Sequence, residues 1–363
     1  MLVIVTSSVI ALILTYLEVK QVFSKGMLCA FALMTFLACI HYDVGNDYMS
    51  YLHHYDEITK IPFNLTEILA GYVYHEPGWA LLNYMFVPFG GFFTMVAVLN
   101  LMQNILVYRF IRRVVDREFW AFSVFLYLFM SNHYLLSMSM MRQELVMVVF
   151  LSLWPWIRDR KFIRCALILY VCSYVHTSAF ILIPFAFWGF LPFKRGVLMS
   201  ILYFIIFVLL WFSGSFLNDV MSNLMQFEEV SDYMQTYEDS NKVDSFLGLG
   251  FLINLVPFFV FLYYIANRKS SLQSRALVGL ACIGTFMTPF TQVLSLIGRV
   301  GMYFGMYQIA ALPIAYNAVQ NPLIRIGLKA LLFVSILYGY YLFFTEPPYD
   351  KYYATFRTIF EVI

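Results

Sequence analysis

Apolar residues along this chain come in long unbroken runs, Leu2 to Leu17 and Met27 to Ile40 being the first two. The runs recur at spacings near the ~20 residues that cross a bilayer. They do not alternate apolar with polar as barrel strands do, and only helices or closed barrels satisfy backbone groups in lipid. The pattern therefore predicts an all-α polytopic membrane bundle, read as one domain over 1–363, with about 12 spans. Both chain ends fall on one side. The first run is a retained span, because no Lys or Arg precedes it as in a signal peptide. Two stretches are too short for ordinary crossings. Gly78 to Phe89 reads as a re-entrant helix that turns at Gly90-Gly91, and Phe162 to Leu191 as a tight helical pair turning near His176. Two long polar stretches, about 41–77 and 218–245, read as extracytoplasmic loops. No internal repeat of the kind many transporters carry is visible.

Composition agrees. The chain of 363 residues is 62% hydrophobic and 12% charged, with mean hydropathy +0.76, against about 25% charged in a soluble protein. Charge gives the bundle its direction. Basic clusters (Arg109, Arg112, Arg113 and Arg117; Arg158, Arg160, Lys161 and Arg164; Arg268, Lys269 and Arg275) alternate with acidic loops along the chain. The positive-inside rule puts the basic clusters in the cytoplasm and the acidic loops outside. The net charge of +2 averages these two faces. All 5 cysteines lie in apolar segments, so a disulfide framework is not expected.

The candidate chemistry lies in the few polar residues that orientation does not explain. Arg142 and Arg299 sit at the mouths of spans on the acidic side, where an uncompensated charge is costly. Arg142 either snorkels to the interface or offers a planar fork to a phosphate, with Gln143 as a neutral donor beside it. Arg299 shares a helix face with Tyr303, as a packing pair or as a ligand site, and Gly298 and Gly301 permit close approach. His176 is either a structural hydrogen-bonder or an acid or base working near neutral pH. Asp43 and Asp47 open the first acidic loop. A helix starting near Asn46 would put Asp47, Tyr51, His54 and Tyr55 on one face, and Asp47 or Asn46 could equally cap it. Glu76-Pro77 opens the short helix, with the acid as terminus stabiliser or as a base aimed at a cavity. Asp43, Asp47, His53 and His54 match no metal signature. Asn64-Leu65-Thr66 is a bare glycosylation sequon. No nucleotide loop or serine elbow is present, so no metal, cofactor or nucleic-acid partner is expected.

Taken in order, these residues resemble the EpsG family, a branch of the Wzy-type polysaccharide polymerases. The likeness lies in Val44-Gly45-Asn46-Asp47-Tyr48 with Tyr51, in Glu76-Pro77-Gly78 before Leu81-Leu82-Asn83, and in Ser139-Met-Met-Arg142-Gln143. It continues in His176-Thr-Ser-Ala179 with Pro184, in Arg299 with Tyr303 and Pro313, and in Pro347-Pro348-Tyr349. Asn46 and Trp79 depart from the commoner family residues. The resemblance implies a multi-pass protein of the bacterial inner membrane that joins undecaprenyl-diphosphate-linked oligosaccharides on the periplasmic face. The product would be an O-antigen, capsule or exopolysaccharide, and a chain-length regulator and a flippase would be partners. It assigns Arg142, Gln143 and Arg299 to the leaving diphosphate, with His176 assisting. Asp43, Asp47 and Glu76 become candidate bases, and Tyr48, Tyr51 and Tyr303 sugar-stacking faces. The alternatives are a flippase for lipid-linked oligosaccharide, which should carry midplane charges, and a membrane O-acyltransferase using His176.

Overall fold

The computed structural model describes residues 1–130, 133–194, 196–212, 249–266, 270–287, 295–347 and 349–361. The expected acidic loop at 218–245 lies outside the described residues. The described residues are mostly helical: α1 (Leu2–Val19), α2 (Gly26–Ile40), α3 (Tyr48–Lys60), α4 (Leu65–Leu69), α5 (Pro77–Phe86), α6 (Gly91–Val114), α7 (Trp120–Phe129), α8 (Tyr134–Ser137), α9 (Met141–Ser152), α10 (Trp154–Arg158) and α11 (Phe162–Ser173). A 3-10 helix over Thr177–Phe190 follows. Then come α12 (Val197–Phe212), α13 (Leu249–Ala266), α14 (Leu272–Met287), α15 (Ser295–Gly305), α16 (Gln308–Asn317), α17 (Pro322–Thr345) and α18 (Asp350–Tyr353). A two-residue strand, β1 (His41–Tyr42), pairs antiparallel with β2 (Arg357–Thr358).

Among the described residues, α1, α6 and α17 are long and apolar enough to cross a membrane, and further apolar helices are shorter. The short helix after Glu76 forms as α5, with a 3-10 turn over Val87–Phe89. Gly90 and Gly91 turn the chain into α6 at φ 94° and 72°. The helical pair turning near His176 is also present, with α11 packed against the 3-10 helix. Gly189 lets the 3-10 helix also lie against α10, since a Cβ there would lie 1.9 Å from the Ile157 carbonyl oxygen.

Two compact units divide the chain: Met1–Phe190 with Ile336–Ile363, and Leu191–Ser335. In the second unit α14 packs on α15 through glycines. A Cβ at Gly284 would meet the Gly305 nitrogen at 2.8 Å, and one at Gly301 would meet the Met287 Cβ at 3.1 Å. The expected close approach at Gly301 is therefore helix against helix.

In the first unit, α6 has 24 residues, a length of ~36 Å at 1.5 Å per residue. Opposite chemistry gathers at its two ends. Near its C-terminus the buried Glu18 carboxylate accepts the Met27 N–H at 2.7 Å and Arg112 Nη1 at 3.2 Å. Arg112 also lies over Trp120, 4.5 Å from the ring centre. This staples the α1–α2 hairpin to the basic end of α6. At the other end Phe92, Met95 and Leu99 pack with Tyr48, Tyr51, Trp79, Met141 and Leu145 in one buried cluster. That cluster is the floor under the polar residues of the first acidic loop.

The loop itself is bolted down from two directions. Ser139 Oγ donates to Asn46 Oδ1 and accepts from the Asp47 N–H, both at 3.0 Å. The Gly45 N–H donates to the Tyr352 carbonyl at 3.1 Å, and Tyr353 OH to the Leu135 carbonyl at 3.2 Å. Gly45 has φ 101°, and a Cβ there would lie 2.4 Å from Ser139 Cβ. Gly45→Ala is therefore expected to cost at least about 2 kcal/mol, read as a lowered unfolding midpoint in detergent. Asn64 has a plain structural task, accepting the Thr66 N–H at 3.1 Å to cap α4.

Candidate functional site

Glu76 occupies the N-cap position of α5, and Pro77 at the first turn presets the helix. Its carboxylate makes no side-chain cap bond, so stabilising its own helix is not what it does. Gly78 explains where it points. The Gly78 N–H donates to the Tyr174 carbonyl at 2.8 Å, and a Cβ there would stand 2.8 Å from Tyr174 backbone. The start of α5 thereby lies directly on the turn after α11, which carries His176 and Thr177.

With 3% of its surface exposed, Glu76 is enclosed by donors. Oε1 takes His176 Nδ1 at 3.0 Å, the Thr177 N–H at 2.8 Å and Thr177 Oγ1 at 3.3 Å. Oε2 takes Arg142 Nη1, and His75 Nε2 is 3.9 Å away. Burial alone would push this carboxyl up. The bonds from His176, the Arg142 charge and the Thr177 N–H outweigh burial and hold it down, to about 2. Glu76 is thus an anchored carboxylate and a weak base, and it meets His176 through Nδ1, with Nε2 making no hydrogen bond among the described residues.

Arg142 reaches this site from the first turn of α9. Nη1 also donates to Tyr74 OH at 2.8 Å and Nε to Tyr51 OH at 3.4 Å. The rings of Tyr51, Tyr74 and Trp79 surround the guanidinium at 5.3, 5.5 and 5.9 Å. Snorkelling is therefore not its task. Nor is a full bidentate fork open to a ligand, because two of its three nitrogens are engaged. Among the described residues Nη2 makes no hydrogen bond.

The structure brings together Glu76, His176, Arg142 and Tyr51 of the residues singled out from the sequence. Asp47 heads α3 without capping it, takes Asn46 Nδ2 at 3.0 Å and lies within electrostatic reach of Tyr51. Asp43, at a left-handed φ of 51°, pairs with Arg357 of the C-terminal segment at 3.2 Å. Among the described residues no three His, Cys, Asp or Glu side chains are grouped to hold a metal. Gln143 is buried beside Arg142 on α9. Tyr48 is also buried, donating to the His41 carbonyl at 3.3 Å with its ring against His41 and Phe92. Arg299 and Tyr303 share α15 in the second unit, Arg299 half-buried and Tyr303 fully so. Tyr74, His75 and Thr177 were not singled out from the sequence, and Trp79 only as a departure from the commoner family residue. The run of rings immediately before Glu76 was the one available signal.

The site and its helical frame are those of a membrane protein with a buried carboxylate–imidazole–guanidinium centre. A family model matches residues 26–355, and the chain belongs to the EpsG family. Membership supports a polysaccharide-polymerase-like function. No curated protein and no solved structure matches the chain.

Proposed function

We infer that the protein is a glycosyltransferase of the bacterial inner membrane. It joins undecaprenyl-diphosphate-linked oligosaccharide units at the periplasmic face. The observation that carries this reading is the Glu76–His176 hydrogen bond at 3.0 Å with Arg142 on the same carboxylate. Glu76 fixes the imidazole with Nδ1 protonated, so Nε2 accepts the proton of an acceptor hydroxyl. That oxygen forms the new bond to the anomeric carbon of the donor sugar. The bond from that carbon to the diphosphate oxygen breaks, and the electron pair leaves with the lipid diphosphate. Cationic donors facing the departing group stabilise the charge that develops there. Arg142 Nη2 supplies one such contact. The partners are therefore two lipid-linked oligosaccharides and the bilayer, with a flippase and a chain-length regulator upstream and alongside.

The test is purified protein with lipid-diphosphate oligosaccharide and no added nucleotide. A ladder of products is expected. His176→Asn should slow it about 10²–10⁴-fold, the usual contribution of a general base, with the unfolding midpoint little changed. A ladder formed at the parent rate by this variant would remove His176 from the reaction.

A further inference from the structure

Recognition of a sugar needs an aromatic face open to water beside groups that exchange hydrogen bonds with hydroxyls. The tyrosines singled out from spacing do not provide it. Tyr48 and Tyr303 are 0% exposed and Tyr51 7%. The open rings lie instead on the segment entering Glu76 and on the neighbouring turn of α3. His75 has 68% of its side chain exposed. Its ring lies 4.3 Å from that of Tyr74 at an interplanar angle of 36°. Tyr74 is held still by Arg142 and also meets His54 at 5.6 Å. His53, next along, pairs with Glu57 at 3.1 Å on the exposed side of α3.

This lip adjoins the reacting groups. His75 approaches Glu76 Oε2 while His176 binds Oε1, so the two imidazoles flank one carboxylate. We propose that the lip of His75, Tyr74 and His54 is the acceptor subsite, where a pyranose ring stacks on the open face of His75 and presents its hydroxyl to His176 Nε2. The proposal rests on the Glu76–His176 reading above.

The chemistry of the lip favours a neutral sugar over a phosphate. Burial holds both His54 and His75 below the usual imidazole range, and Arg142 adds to that in each, against the acids nearby. Near pH 7 these rings are uncharged. What the lip offers is flat neutral surface edged by the carboxylate of Glu57, which suits C–H faces and hydroxyls. A ring tilted against a hydrogen-bonded tyrosine also loses little freedom on binding.

The probe is the free repeat-unit oligosaccharide, released by mild acid from the cell's own lipid-linked intermediates and titrated into purified protein with saturation-transfer NMR as readout. Saturable binding is expected, weakened about fivefold in His75→Ala, the size of one ring contact. His75→Phe should restore it, since it keeps the face and removes the nitrogens. Unchanged binding in His75→Ala would overturn the proposal and leave the lip as an interfacial aromatic anchor. Failure of His75→Phe to restore binding would overturn stacking. Displacement of the oligosaccharide by inorganic pyrophosphate, with pyrophosphate affinity falling in His75→Ala, would assign the lip to the anion instead. The parent reading fails separately, through a normal product ladder in His176→Asn.

Discussion

Glu76→Gln is expected to lower product-ladder formation at least about a thousandfold, because an amide can face His176 with its own N–H and set the wrong tautomer. The same change should lower stability by about 3–5 kcal/mol, the cost of leaving one partner of a buried pair uncompensated. Arg142 is that partner, with 17% of its side chain exposed. Both effects are measurable on one preparation, by the rate of ladder growth and by thermal unfolding in detergent. The pH dependence follows from the direction of the shift. Glu76 titrates below its ordinary value of 4.5, at about 2. Its contribution to stability is present in full above pH 4.5 and is lost as the pH falls through about 2. The difference in unfolding midpoint between parent and Glu76→Gln should therefore be flat from neutral pH to about 5 and close below that. A difference that shrank already between pH 7 and 5 would mean that the carboxyl is not anchored as described.

Arg142→Lys is the second expected loss. Lysine keeps the charge and can still approach Glu76. It cannot also donate to Tyr74 and Tyr51 along a planar edge, nor lie flat among three rings. Activity should fall by roughly 10²-fold or more, as when a transition-state donor is removed. Stability should fall less than in Arg142→Ala, where Glu76 is left buried without its cation. Equal midpoints for the lysine and alanine variants would show that charge is not what Arg142 contributes.

The frame of this site was legible in the sequence, and its partners were not. Glu76-Pro77-Gly78 announces a helix start, and Gly90-Gly91 its end, because proline and glycine act on backbone geometry locally. The turn at His176 follows from an apolar stretch too short for two crossings. What no local pattern gives is that Glu76 meets His176 across 100 residues of chain, or that its other oxygen takes Arg142. Helical spacing places Tyr48, Tyr51 and Tyr303 on defined faces, but it does not say whether those faces look to water. All three look inward, while His75, in a loop with no periodicity, looks out. Asp43 and Asp47 showed the same limit. Their acidity marked the loop, yet only the fold reveals that Asp43 answers Arg357 and that Ser139 holds the loop's backbone.

That last arrangement sets an order of events during biosynthesis. β1 waits for β2, Gly45 waits for Tyr352, and Asp43 waits for Arg357, a residue 314 positions later. The first loop therefore stays locally unfinished until residues 352–358 have been synthesised. A chain cut short of Tyr352 would keep Glu76, His176 and Arg142 but lose the bonds that hold β1, Asp43 and Gly45 in place.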